Sequence, residues 1–200
     1  MLVPLQPRLR GFSLVELLIV VAVLGLVLML GLPNISAWLQ NTQIRNSAEA
    51  AISGLQLARA EALRRNRLVR FSLVDTLDAG CNLATAGPNW IVSLADPSAN
   101  CGVAPSDTVD PFIVQKRSSQ EGSPNVAMLA SVDTVTFNGL GSASSLLPTN
   151  PLVIDFSNPG GGACQAAASP MRCLRVVVSA SGSVKMCDPA VGDPSDPRAC

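Results

Sequence analysis

The 200 residues carry 14 lysines and arginines against 14 aspartates and glutamates, and they include no histidine. Without histidine, neither a Ser-His-Asp nor a Cys-His catalytic arrangement can be built, so we expect a protein that is not an enzyme and that uses no cofactor. The length allows one anchored helix and one globular domain with a real core, and it excludes a second domain of similar size.

The chain begins with a basic leader that is followed by a long apolar run. Arg8 and Arg10 precede the stretch 12–33, whose one charged residue is Glu16. A helix of about 20 apolar residues is long enough to span a bilayer. The next basic residue is Arg45, so the positive-inside rule predicts a cytoplasmic N-terminus and a single pass, with the rest of the chain across the membrane.

Glu16 needs an explanation, because a carboxylate inside a spanning helix costs a few kcal/mol. Either it reaches water at the membrane surface, or it marks a function or a partner. Its neighbours favour a partner. A basic leader, Gly11, Phe12, a glutamate at the fifth position from Phe12 and an unbroken apolar helix resemble the N-terminal signal of type IV pilins and type II secretion pseudopilins.

This resemblance implies specific processing and specific partners. A prepilin peptidase would cut after Gly11 and N-methylate Phe12, and the apolar helix would stay in the mature protein. Glu16 would then pair with the terminal amine of a neighbouring subunit's Phe12. Breaking such a pair at low dielectric costs about 3–5 kcal/mol. The implied partners are other pilins or pseudopilins, the peptidase and an inner-membrane assembly platform.

Two other interpretations of the N-terminus remain. In a cleaved secretory signal the apolar region usually runs for about 7–15 residues and ends at a small-residue cleavage site. The run here is longer, and Ser36-Ala37 offers only a weak site because Ile35 occupies a position where a small residue is wanted. A plain single-span anchor is the other interpretation.

Downstream of the apolar run, the pattern predicts that the helix continues on a globular domain. Pro33 removes a helix hydrogen bond and predicts a kink. Beyond it, apolar residues recur at the three-and-four spacing of a helix that buries one face. They are Ile35, Trp38, Leu39, Ala48, Ala51, Ile52, Leu55, Ala58 and Ala62. We therefore predict one helix from Phe12 to about Arg65.

The end of this helix is basic. Its arginines are Arg59, Arg64, Arg65, Arg67 and Arg70. They form either a patch for nucleic acid or anionic lipid, or a solvated helix C-terminus where cations interact favourably with the dipole, and we favour the second. The same block resembles the L-x-x-A-R-x-x-A-x-x-R-N helix end of the GspH/FimT family. The matching positions are Leu55, Ala58, Arg59, Ala62, Arg65 and Asn66.

After Arg67 the alternation becomes that of strands, in the segments RLVRFSLVD, NWIVSLAD, DTVTFNGLG, LVIDFS and CLRVVVSASGSVKMC. Ser179 to Gly182 predicts a hairpin turn. We expect an α+β fold in which the helix packs on an antiparallel sheet. The order of the pieces also resembles that of the GspH/FimT family. The predicted divisions are a leader 1–11, a membrane or filament-core helix 12–33, an amphipathic helix 34–66 and a periplasmic β-rich domain 67–200.

The six cysteines all follow the apolar segment, which fits disulfides formed in an oxidising compartment. They are Cys81, Cys101, Cys164, Cys173, Cys187 and Cys200. Six cysteines allow many pairings. We favour the sequential one, in which a C-terminal disulfide ties down the proline-rich tail. No metal is expected, because the chain lacks C-x-x-C pairs and histidine. Calcium at the tail carboxylates Asp193 and Asp196 is a minor alternative.

The resemblance implies a minor pilin that helps to assemble or prime a type IV pilus, or alternatively a minor pseudopilin of a type II secretion system. The ending CDP…DPRAC is more similar to the minor-pilin side. Uptake of DNA is a less favoured third function, because the hairpin Gly182-Ser183-Val184-Lys185 lacks the arginines of a Gly-Arg-x-Arg element. Beyond Arg70, eleven acidic residues also outnumber six basic ones, which disfavours phosphate binding.

Overall fold

One helix, α1, runs from Leu14 to Arg65 over 52 residues, within two residues of the predicted bounds. The kink predicted at Pro33 stays a prediction, because the side chains of residues 30–34 lie outside the described part of the structure. The computed structural model describes residues 12–87, 89–118, 121–162, 164 and 171–200. The contacts divide the chain into two units, Met1–Ser36 and Ala37–Cys200, each described by itself.

In the first unit, the described part of α1 has apolar side chains on every side. From Leu14 to Met29 every large apolar side chain is at least 53% exposed. Within the part of the chain that is described, no helix combines the length and the apolarity that crossing a membrane requires. The membrane segment 12–33 stays a prediction, and the processing residue Gly11 lies outside the described residues.

In the second unit, α1 buries a face of small and aliphatic residues. The steps between them alternate between four and three, so they lie on one side of the helix. They are Ile44, Ala48, Ala51, Leu55, Ala58 and Ala62, each fully buried. The prediction of a buried face from residue 35 onward was wrong for Ile35, Trp38 and Leu39, which are 51–67% exposed. Periodicity identifies a helix face, but it does not show how much of that face a sheet covers.

The second unit contains two antiparallel four-stranded sheets. The first has the order β3-β2-β1-β5 and the second the order β4-β6-β7-β8. The strands are β1 Val69–Val74, β2 Asn89–Ser93, β3 Ile113–Arg117, β4 Ala127–Ala130, β5 Thr134–Phe137, β6 Leu152–Ser157, β7 Leu174–Val178 and β8 Val184–Cys187. A short 3₁₀ turn spans Pro159–Gly161.

The α+β class is confirmed, with two differences. The sequence predicted one sheet where two are present, and its alternation did not predict β3 or β4. The sequence of β3, IVQKR, ends in three polar residues, and β4, AMLA, has no β-branched residue, so neither has a strong strand pattern. The turn predicted at Ser179–Gly182 is present, with the Gly182 amide donating to the Ser179 carbonyl at 2.9 Å.

One hydrophobic core contains the buried face of α1 and residues of both sheets. Its largest fully buried side chains include Phe71 and Phe137 of the first sheet and Phe156 of the second. The ring of Phe71 lies 5.3 Å from that of Trp90 between centroids. A smaller core joins side chains of the first sheet to the Cys81–Cys101 disulfide. It contains Val74, Cys81, Ile91, Cys101 and Ile113.

The cysteines pair in sequential order, as Cys81–Cys101, Cys164–Cys173 and Cys187–Cys200. The last disulfide closes the C-terminal tail onto β8. The Asp188 amide donates to the Arg198 carbonyl at 2.7 Å, and Lys185 Nζ donates to the Ala199 carbonyl at 2.9 Å. The tail therefore has a fixed path although it contributes little to the core.

Candidate functional site

The start of α1 holds the two described residues of the predicted processing and assembly site, Phe12 and Glu16. Ser13 Oγ accepts a hydrogen bond from the Glu16 amide at 3.2 Å, and the Ser13 carbonyl accepts one from the Leu17 amide at 3.2 Å. Ser13 is therefore the N-cap of the helix, and Ser-x-x-Glu is a capping pattern that the sequence argument overlooked. Phe12 precedes the helix, and Glu16 lies in its first turn.

Glu16 is the acidic residue of the first turn of α1. It is exposed and forms no salt bridge with any described residue, and the first basic residue after it is Arg45. The N-terminus of a helix already favours a carboxylate through the helix dipole. Phe12 is 81% exposed. The local geometry thus presents one anionic group and one apolar side chain at the end of an uncovered apolar helix.

The other predicted site is the basic end of α1, where Arg59 joins the helix to two turns. Its Nε donates to the Gly141 carbonyl at 3.0 Å, and the side chain is half-buried. Gly141 and Gly182 both have a positive φ, of 77° and 80°. A Cβ at Gly182 would collide with the Gly141 carbonyl, so these two turns meet at Arg59.

Arg64 and Arg65 are paired with carboxylates. Arg65 donates to Glu61 and to Asp107, each at 2.6 Å, and Arg64 donates to Glu61 at 2.7 Å. The hydrogen bond from Arg64, followed by the one from Arg65, lowers the pKa of Glu61 against the opposing effect of burial. Because folding lowers this pKa, the ion pairs stabilise the domain fully above the ordinary glutamate pKa. This stabilisation is lost as the pH falls from there through the lowered pKa of the folded state.

Asn66 ends the helix. It has a φ of 49°, the left-handed conformation that is typical of a helix C-terminus. The Arg67 amide donates to the Ala62 carbonyl at 3.3 Å. A Cβ at Gly139 would collide with the Asn66 side chain, so this residue also packs closely on the loop after β5. The helix-end motif therefore caps α1 and fastens it to the loops, with Leu55, Ala58 and Ala62 in the core.

The five arginines do not act alike. Three of them, Arg59, Arg64 and Arg65, have the partners described above. Arg70 is half-buried, and its charge interacts with that of Asp96. Arg67 is exposed. These contacts favour a structural function for the block over a nucleic-acid or lipid patch.

Replacing Arg59 with alanine should destabilise the domain by about 2 kcal/mol, because the half-buried charged donor is lost and no other described residue donates to the Gly141 carbonyl. Arg67→Ala, at an exposed position of the same block, should change the free energy of unfolding by less than about 0.5 kcal/mol. Urea denaturation followed by circular dichroism measures both values. Equal stabilities of the two variants would show that Arg59 does not fasten the turns.

The groups considered for DNA and calcium have internal partners. Lys185 of the hairpin considered for DNA donates to the tail as described. Hydrogen bonds from Arg198 lower the pKa of Asp196 to about 2, and Asp193 accepts from Ser195. Among the described residues, no group of three or more Asp, Glu, Cys or His is arranged to hold a metal ion.

A helix with an uncovered apolar start, a Gly-Phe-x-x-x-Glu N-terminus and two antiparallel sheets defines a pilin-like protein. Two family models match the chain. One is the prokaryotic N-terminal methylation motif, at residues 7–32. The other is the type II transport protein GspH, at residues 47–182, which is more than half of the chain. The chain belongs to this GspH family, as the helix-end motif indicated. The methylation motif points to a membrane-anchored protein of the cell envelope.

Solved structures similar to the chain include the type IV minor pilin FimU of Pseudomonas aeruginosa in two crystal forms. One has 16% identity and a TM-score of 0.45, covering 71% of this chain and 90% of that chain. The other has 17% identity and a TM-score of 0.44, covering 74% of this chain and 91% of that chain. No curated protein matches the sequence.

Proposed function

We propose that the chain is a minor pilin that takes part in assembling or priming a type IV pilus. The observation that supports this most is the exposure of every large apolar side chain from Leu14 to Met29. Burying one side chain of this kind is worth about 1.5–3 kcal/mol. None of the described residues buries this apolar surface, so we infer that it packs against something outside the chain. Lipid covers it before assembly, and the helices of neighbouring subunits cover it in the filament.

Glu16 sets the position of the subunit in this proposal. After cleavage behind Gly11, the new terminus at Phe12 is a methylated amine, a positive group of the kind that Glu16 lacks among its described neighbours. The amine of an adjacent subunit pairs with Glu16 where both leave water. Because an unpaired charge in low dielectric is costly, only one register between the subunits satisfies both groups.

The partners in this proposal follow from the family and its processing. They are other pilins of the filament, the prepilin peptidase and the inner-membrane assembly platform, with the C-terminal domain in the periplasm. The three disulfides suit that oxidising compartment. The subunit acts by packing, and it carries out no chemical reaction.

A bulky residue at position 11 should block maturation, whereas Gly11→Ala should be tolerated better, because the peptidase must accommodate the residue before the scissile bond. We expect Gly11→Val to accumulate with its leader attached and to be missing from sheared filaments. Mass spectrometry of the purified chain reads the N-terminus directly. A mature, N-methylated Phe12 in the Gly11→Val variant would contradict the cleavage assignment.

A minor pseudopilin of a type II secretion system is the second candidate, favoured by the family description as a type II transport protein. Deleting the gene separates the two. Loss of surface pili with normal export of secreted proteins supports the pilus. The opposite result, normal pili with retained secretion substrates, supports the pseudopilus.

A further inference from the structure

A groove in the second unit lies between α1, the second sheet and the C-terminal tail. It has a volume of about 440 Å³. One face of α1 forms a wall of the groove. The residues of this wall are Trp38, Asn41, Thr42 and Arg45. The other described lining residues are Arg172, Leu174, Met186, Cys187, Asp188, Pro197 and Arg198.

The groove is formed before any partner binds. Its tail wall is tied to β8 by the Cys187–Cys200 disulfide and by the bond from the Asp188 amide to the Arg198 carbonyl. The Arg172 amide donates to Asn41 Oδ1 at 2.8 Å, which links this segment to α1. A surface that is already ordered loses less conformational entropy on binding.

The side chains of the groove are of the types that protein interfaces concentrate. Interface cores are enriched in aromatic residues, methionine and arginine, and they are depleted in lysine, glutamate and aspartate. Its described lining has Trp38, Met186 and three arginines, with one aspartate, Asp188, and neither lysine nor glutamate. Trp38 is 67% exposed, a large apolar surface that its own domain leaves in water.

The charges of the groove identify the chemistry of its occupant. Among the described lining residues, three arginines stand against one aspartate, Asp188, so these residues carry a net positive charge. Arg198 holds Asp196 through two hydrogen bonds of 3.0 and 2.6 Å, whereas Arg45 pairs with Glu49 and both of these side chains are more than half exposed. Exposed pairs of this kind contribute little, and a guanidinium has donors left for a second carboxylate. Arg172 forms no ion pair with the described residues.

We propose that this groove binds a surface segment of a neighbouring pilin-like subunit in which an apolar side chain stands beside one or two carboxylates. The apolar side chain packs on Trp38 and Met186, and the carboxylates pair with the arginines at the rim. The proposal rests on the proposed function, since it requires that the chain assembles among other subunits. It adds a contact through the globular domain to the contact through Glu16.

Photo-crosslinking in the native host tests this proposal on the full chain. Thr42→p-benzoylphenylalanine places the probe in the groove, and Leu129→p-benzoylphenylalanine places it at an exposed position of β4 outside the groove. We expect an adduct with another pilin-like subunit from position 42 alone. The crosslinked peptide should carry Asp or Glu next to an apolar residue.

Charge reversal supplies the matched control. Arg172→Glu should lower the yield of the position 42 adduct by about tenfold, whereas Arg117→Glu on β3 should leave it unchanged. Replacing the partner's crosslinked acidic residue by arginine should restore the adduct with Arg172→Glu. A lipid adduct, a second copy of this chain, a peptide without carboxylates, or a yield that Arg172→Glu does not change would each overturn the proposal.

The crosslinking variants also distinguish a failure of the groove contact from a failure of the proposed pilin function. A chain that is absent from sheared filaments counts against the proposed function. A chain that enters the filaments but gives no adduct at position 42 overturns the groove contact alone.

Discussion

Replacing Glu16 with alanine is expected to reduce incorporation into filaments by more than about a hundredfold, while insertion into the membrane becomes easier. The loss follows from an uncompensated terminal amine in low dielectric, at about 3–5 kcal/mol per broken pair. Insertion improves because the apolar segment no longer carries a charge. The chain in the membrane fraction and in sheared filaments, each quantified by immunoblot, measures the two effects.

Conservative variants at the same position separate charge from shape. Glu16→Gln keeps the size of the side chain and removes the charge, so it should fail as alanine does, whereas Glu16→Asp should retain part of the incorporation. None of the three removes the bond to Ser13 Oγ, because the donor there is the backbone amide of residue 16. Incorporation of Glu16→Gln at the wild-type level would refute the pairing.

Replacing Gly54 with leucine should destabilise the globular domain by about 3 kcal/mol, because overpacking forces buried neighbours to move. A Cβ at this position would lie 2.7 Å from Trp90 Cη2 and 2.9 Å from Phe71 Cε2. Both rings are buried, at 3% and 1% exposure, so neither can turn into solvent. The free energy of unfolding from urea denaturation, followed by circular dichroism, gives the value.

A second glycine serves as the control. A Cβ at Gly192 would meet no atom within 4 Å, so Gly192→Leu should change the stability by less than about 0.5 kcal/mol. Gly54→Ala should fall between the two, because its helix propensity gains about 1 kcal/mol while its single methyl group still crowds Trp90. If Gly54→Leu unfolds at the wild-type urea concentration, α1 does not approach the first sheet as closely as described.

Much of the fold was predictable because it depends on neighbouring residues. The end of α1 near Arg65, the three-and-four spacing from Ala48 to Ala62, and the alternation in β6 are local signals, and the structure confirms them. The division of the strands into two sheets was not predictable, because alternation identifies a strand without naming its neighbours. Nor did periodicity show that the buried face begins at Ile44.

The helix-end motif shows the same limit in single residues. Its pattern was visible in the sequence, and cations at a helix C-terminus were an ordinary explanation for its arginines. Only the fold shows that Arg59 reaches Gly141, which is 82 positions away, and that Asn66 packs on Gly139. The Ser13 cap, by contrast, is a local feature that the Ser-x-x-Glu pattern predicts.

The sequence by itself determined the apolar N-terminal segment with its single carboxylate, the long helix and the class of fold, since these follow from the order and spacing of adjacent side chains. The tertiary structure decided which cysteines pair, which glycines admit no side chain, and that Trp38 and the tail line one groove. Contacts between distant positions depend on how the whole domain buries its apolar surface, and the spacing of residues along the chain carries no record of that.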